Sequence, residues 1–160
     1  MNVKATLSPD DLARACADAM WKEDDASSRL GMEIADVGPG RATLTMIVRP
    51  EMVNGQRIAH GGFIFTLADS AFAFACNSRN ERNVAAQGAI TFIRPGKLGD
   101  RLIATAREVI GRKRGLDVHG GLPFFASFRD GPKDQTRNLE ILRCTIVHHS
   151  SILRITRNDC

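Results

Sequence analysis

The sequence predicts an α+β fold in which an antiparallel sheet curls around one central helix. Three observations carry that prediction. Residues 61–78 read as a helix, and between Phe63 and Cys76 only Thr66, Asp69 and Ser70 are polar. A helix apolar nearly all round must be wrapped by other structure or cross a membrane. This one is too short and interrupted for a bilayer, which needs ~20 apolar residues. The segments on either side alternate apolar and polar residues, as half-buried antiparallel strands do. Finally, the 160-residue chain suits a single domain with a real core.

The elements follow in order. Ser8 is placed to cap a first helix, with Pro9 at its first position and Asp10 and Asp11 in its first turn, where the helix dipole favours anions. Leu12, Ala15, Cys16, Ala19 and Met20 recur at helical spacing, so this helix should run over 9–22. A polar break, 23–28, separates it from strands at 30–37 and 41–48, joined by Gly38-Pro39-Gly40. In the second strand Ala42, Leu44, Met46 and Val48 point one way. A loop over 50–58 leads into the central helix. Strands are then expected at 84–93 and 100–110, and shorter ones at 122–128 and 141–147, with a polar loop between.

Composition excludes several functions. Hydrophobic content is 43%, charged content 25% and formal net charge +4, ordinary for a globular protein. Dense basic runs of the nucleic-acid-binding kind are missing. The tightest cluster, Arg112-Lys113-Arg114, reads as a solvated turn or as an anchor for a phosphorylated ligand. Cys16, Cys76, Cys144 and Cys160 show no CxxC spacing, and the four histidines form no metal-ligand pattern with them. The N-terminus lacks a basic region followed by an apolar run. A reduced, cytoplasmic protein without metal, organic cofactor, nucleic-acid partner or membrane anchor is therefore expected.

The chemistry concentrates around the central helix. His60-Gly61-Gly62 stands at its start. Glycines admit close approach to the backbone, and the first N–H groups of a helix have no internal acceptor. Such donors can hold a carbonyl oxygen and the oxyanion that forms when it is attacked. Asp69 is the one ionisable side chain between Phe63 and Asn77, able to act as general base or nucleophile. Its other reading is a structural carboxylate satisfied by backbone or arginine. Gly62 and Asp69 lie seven residues apart on one face, a rise of ~10 Å. One carbonyl cannot be held at the first and attacked from the second. Two copies packed antiparallel across a two-fold axis bring Asp69 of one against Gly62 of the other, so a site at a dimer interface is predicted.

Thr66, Ser70 and Ala73 share the Asp69 stripe and are candidates to line a substrate pocket. Ser70 either orients Asp69 or its water, or bonds a backbone carbonyl of its own helix. His60 either fixes the loop or takes part in catalysis. Phe63, Phe65, Phe72 and Phe74 read as core, as does Cys76, which lies at the helix end that does not activate a thiolate.

Several separated blocks resemble one family. Asn54-Gly55, His60-Gly61-Gly62, the run Leu67–Ala73, Ala75–Ser78, Thr91–Gly96 and Gly99–Leu102 are similar, in order, to the phenylacetic-acid-degradation thioesterases, a branch of the hotdog acyl-CoA thioesterases. The resemblance spans about residues 9–115. It implies a hotdog fold, hydrolysis of an aryl-acetyl-CoA such as phenylacetyl-CoA or hydroxyphenylacetyl-CoA, and a homodimer or homotetramer. It also implies that Asn54 helps position the reacting groups near the thioester. Arg94, with Lys97 and Arg101, is the candidate for the coenzyme A phosphates. A non-catalytic acyl-CoA-binding hotdog protein and an inactive product are the alternative readings.

From about Gly111 the resemblance is lost. The family continues with two long strands carrying a Tyr-Asp pair and a Phe-Arg-Gly run, and this chain has no tyrosine. Residues 111–160 are therefore atypical, through divergence or through a change of reading frame.

Overall fold

A computed structural model describes residues 7–92, 94–108, 123–130 and 138–147, the last two segments and residues 86 and 87 through their backbone alone. Helix α1, Pro9–Trp21, begins as expected: Ser8 Oγ accepts from the Asp11 N–H and Pro9 occupies the first turn. The polar break is not irregular. Asp24 caps a short helix, α2 (Asp25–Arg29), by accepting from Ser27 N. Strand β1, Glu33–Gly38, starts three residues later than the sequence pattern suggested, because Gly31 turns the chain with φ +70°.

Strand β2 is Arg41–Ile47, followed by a 3-10 turn at Pro50–Met52. The long helix α3 covers Gly61–Asn77, with His60 and Ser78 as its caps. Strands β3 (Val84–Ile90), β4 (Arg101–Glu108), β5 (Pro123–Asp130) and β6 (Asn138–Val147) complete the described elements. The two late strands expected from sequence are thus both present, at slightly greater length. His148, His149 and the Arg112-Lys113-Arg114 cluster lie outside the described residues.

All strands join one antiparallel sheet in the order β1-β2-β4-β5-β6-β3. Helix α3 packs on it, chiefly against β2 and β4, and α1 packs against β1 and α3. The register explains the seat. Ala42 stands opposite Ala106, Leu44 opposite Ala104 and Met46 opposite Leu102, and all six are buried. Alternating small and large side chains on paired strands leave a surface that a helix can approach closely. From α3, Ile64, Leu67, Ala68, Ala71, Phe72 and Ala75 are buried, the spacing of one helical face. Trp21 of α1 meets Phe74 with ring centroids 5.9 Å apart. Phe72 and Phe74 are core, whereas Phe63 and Phe65 are partly buried against it.

The far end of α3 is fixed by Ser78, which is 1% exposed. Its Oγ donates to the Ala75 carbonyl at 2.7 Å and accepts from Gly40 N at 2.8 Å, tying the helix to the β1–β2 turn. Ser78→Ala leaves a buried N–H without its acceptor and should cost about 1–3 kcal/mol, read as a lower denaturant midpoint with an unchanged slope.

Among the described residues helix α3 is covered on one face only. Gly62 and Asp69 are exposed, and Thr66, Ser70, Ala73 and Asn77 between and beyond them are only half-buried. The sheet covers one face of the helix, and among the described residues nothing encloses the other.

Candidate active site

The segment before α3 is built to deliver His60 and the two glycines. Val53 and Ala59 form an isolated antiparallel bridge. Asn54 closes the turn between them: its Oδ1 accepts from Gln56 N at 2.9 Å and from Ile58 N at 3.3 Å. That bonding holds Arg57 at φ +60°, a left-handed conformation. The same oxygen is therefore engaged in the loop, and the amide Nδ2 is the part of Asn54 with no protein partner among the described residues. His60 N donates to Met52 O at 2.8 Å and Ala59 N to Gly96 O at 2.9 Å. The entry to the helix is thus pinned from two sides.

His60 caps α3. Its Nδ1 accepts from Gly62 N at 3.0 Å, so that nitrogen carries no proton and the other ring nitrogen does. Phe63 N donates to the His60 carbonyl at 3.0 Å. Of the first N–H groups, those of Gly62 and Phe63 are occupied, and that of Gly61 has no protein acceptor among the described residues. The spacing argument placed the carbonyl on the Gly62 N–H, with Gly61 beside it; the His60 cap occupies the Gly62 N–H and leaves Gly61 as the open donor. His60→Ala removes the cap and frees the Gly62 N–H. The expected loss is about 1 kcal/mol of stability, the usual size for an N-cap deletion, measurable by chemical denaturation.

The glycines also serve the protein itself. A β-carbon at Gly61 would come within 2.9 Å of Phe92 Cζ, and one at Gly62 within 3.1 Å of His60 Nδ1. Both spaces that sequence reasoning reserved for a ligand are filled by rings of this chain. Phe92 belongs to the strand expected at 84–93 and to the Thr91–Gly96 block of the resemblance. It lies just beyond the end of β3, where strand periodicity does not place its ring.

Asp69 stands at mid-helix on the open face. Its carboxyl makes no hydrogen bond or ion pair with the described residues, so the reading as a satisfied structural carboxylate finds no support. Crowding by the apolar helix raises its pKa above the ordinary aspartate value, through desolvation. Its neighbours are already engaged. Thr66 Oγ1 donates to Gly62 O at 2.9 Å. Ser70 Oγ shares a 2.7 Å hydrogen bond with the buried Ser27 Oγ of α2. Ser70 is thus neither bonded to its own helix backbone nor turned to Asp69. It ties α3 to α2, a role for which the polar run around Ser27 gave no periodic signal. Ala73, half-buried on the same stripe, offers Asn77 Nδ2 its carbonyl at 2.9 Å.

The three basic candidates fare differently. Arg101 reaches Thr45 Oγ1 at 3.3 Å and Glu33 at 3.8 Å, so its charge is directed across the sheet. Lys97 and Arg94 are exposed in the turn after Phe92. Among the described residues no cluster of His, Cys, Asp and Glu is placed to hold a metal, and no helix is long and apolar enough to cross a membrane.

Comparison with known proteins gives this geometry a context. The profile of the thioesterase superfamily matches residues 56–121. The structure of the Escherichia coli PaaI protein, from the phenylacetic acid degradation operon, superposes with a TM-score of 0.81 at 32% identity, covering 91% of this chain and 99% of that one. The chain belongs to the thioesterase superfamily. Its fold is accordingly the hotdog fold, as the resemblance implied. In sequence it is 46% identical over 91 residues to the acyl-coenzyme A thioesterase PaaI of Escherichia coli K12, an alignment spanning 57% of this chain and 65% of that protein. A Streptococcus mutans protein solved with acetyl-CoA bound is similar at a TM-score of 0.57 and 25% identity, covering 72% of this chain and 84% of that one.

Proposed function

We propose that this chain hydrolyses acyl-CoA thioesters, with aryl-acetyl-CoA as its substrate class, in a site shared by two copies. The observation that carries the proposal is Asp69: among the described residues, a carboxylate without a partner on the exposed face of a largely apolar helix, whose first N–H has no acceptor. The PaaI resemblance points to phenylacetyl-CoA or a hydroxylated relative, and the acetyl-CoA-bound neighbour supports a coenzyme A thioester.

The reaction uses water as second substrate. The thioester carbonyl oxygen accepts from the Gly61 N–H, assisted by the positive end of the α3 dipole. Asn54 Nδ2 is the second donor the loop can offer. Asp69 of the other copy takes a proton from water as the oxygen adds to the carbonyl carbon. The tetrahedral oxyanion collapses, the C–S bond breaks, and coenzyme A leaves as a thiolate that takes up a proton. Direct attack by the carboxylate is the other route, and it needs the same ionised Asp69. Arg94 and Lys97, at the surface near the helix start, are the candidates for the coenzyme phosphates. His60 holds the loop.

Pairing of two copies is favoured by what one copy leaves open. Among the described residues the α3 stripe from Gly62 to Asn77 is only partly covered, and β3 is an edge of the sheet whose Val84 is 53% exposed. A homodimer covers both, and a homotetramer can be built from two such dimers. The test is thiol release from phenylacetyl-CoA and hydroxyphenylacetyl-CoA. Catalysed release supports the proposal. Saturable binding without release would replace it with a non-catalytic acyl-CoA-binding protein.

A further inference from the structure

Phe92 is an apolar ring that the core does not absorb. It is 50% exposed, although Ile90, two residues earlier, packs on the core. Its position is nevertheless fixed at both ends of its segment. Ile90 anchors one end, and the Gly96 carbonyl anchors the other by accepting from Ala59 N at 2.9 Å, the residue just before the α3 cap. The ring tip lies on Gly61: Cζ, Cε1 and Cε2 stand 2.9, 3.3 and 3.4 Å from where a β-carbon of Gly61 would be. An aromatic ring is thus seated on the very residue whose N–H has no acceptor among the described residues, and the residue that carries it is half exposed.

We infer that Phe92 is the specificity residue for the acyl group, its exposed ring forming the wall on which an aryl substituent one carbon from the thioester carbonyl stacks. The inference rests on the proposed hydrolysis and deepens it. A carbonyl bound at the Gly61 N–H places its α-carbon beside Gly61, and the ring of an aryl-acetyl group follows immediately. Aromatic pairs gain attraction beyond area burial when offset or edge-on. A straight alkyl chain takes only the burial. Phe92 therefore separates aryl from alkyl acyl groups, while Asp69 and Gly61 treat them alike.

The experiment compares phenylacetyl-CoA with hexanoyl-CoA on the full chain, for wild type, Phe92→Leu and Phe92→Tyr. The ratio of kcat/KM for the two substrates should fall roughly 3- to 10-fold in Phe92→Leu, the size of an aromatic pair. The loss should appear mainly in KM, and Phe92→Tyr should retain the wild-type ratio. An unchanged ratio in Phe92→Leu, or equal losses on both substrates, overturns the inference. So does a Phe92→Leu protein that elutes as a monomer, which would assign the ring to the contact between copies. Failure of wild type to hydrolyse either thioester would instead overturn the proposed activity, and this inference with it.

Discussion

Replacing Asp69 by asparagine should lower the turnover of phenylacetyl-CoA by about 100- to 10,000-fold, the range of general-base loss, while the protein stays folded. The two side chains match in shape, and Asp69 makes no hydrogen bond or ion pair with the described residues, so no tie is broken. The stability effect has a definite sign. Partial desolvation against the apolar helix holds the folded-state pKa above the unfolded value. Between those two values the folded state binds more protons than the unfolded one. Stability contributed by this group is therefore present at low pH and falls as pH rises through the folded pKa. At neutral pH the ionised carboxylate disfavours folding, and asparagine removes that penalty. Asp69→Asn should melt no lower than wild type. The same shift appears in the rate. Catalysis needs the carboxylate ionised, so the acid limb of kcat for wild type should lie above the ordinary aspartate range, and covering by a second copy should push it further. An active Asp69→Asn protein contradicts the assignment. A loss of activity that tracks a loss of folding contradicts it as well.

Much of this architecture is legible in the sequence, because the forces that set it are local. Ser8 and Pro9 start α1 by satisfying or lacking the orphan N–H groups. The alternation of Ala42, Leu44, Met46 and Val48 survives as buried residues. The composition of 61–78 marks α3 to within a residue. What escaped depends on tertiary placement. Helix α2 has five residues and no apolar stripe, so only the Asp24 cap betrays it. Apolar content showed that α3 must be covered. It carries no information on whether the cover is the same copy or another; among the described residues Asp69 and Gly62 stay exposed.

The site was legible in its residue types and less so in their roles. The Gly61–Gly62 pair marked a close approach correctly, but periodicity does not name the approaching group. Phe92 closes on Gly61 and His60 on Gly62, and both belong to this chain. Histidine is an uncommon N-cap, so the masking of the Gly62 N–H by Nδ1 could be read only from geometry. The Ser70 bond to Ser27 spans 43 residues of sequence and leaves no trace in local spacing.

The central claim is that Asp69 and Gly61 act on one thioester from different copies. It predicts complementation between two variants that are each inactive. Gly61→Pro is the partner for Asp69→Asn. Proline lacks the N–H and is favoured at the first position of a helix. His60 already has φ −65° and ψ 130°, the extended region that a residue before proline prefers. The ring meets only the far end of the Phe92 side chain, which can turn aside. Gly61→Pro should therefore fold and lose the carbonyl donor. The decisive measurement is thiol release by a heterodimer of Asp69→Asn and Gly61→Pro chains, co-expressed with different tags and purified through both. In a shared site, one of the two centres draws an intact Asp69 from one chain and an intact Gly61 from the other, while the second centre carries both lesions. About half the wild-type activity should return, since an isologous dimer holds two equivalent sites. A heterodimer as inactive as its parents would place Asp69 and Gly61 of a single chain in the same site and contradict the account.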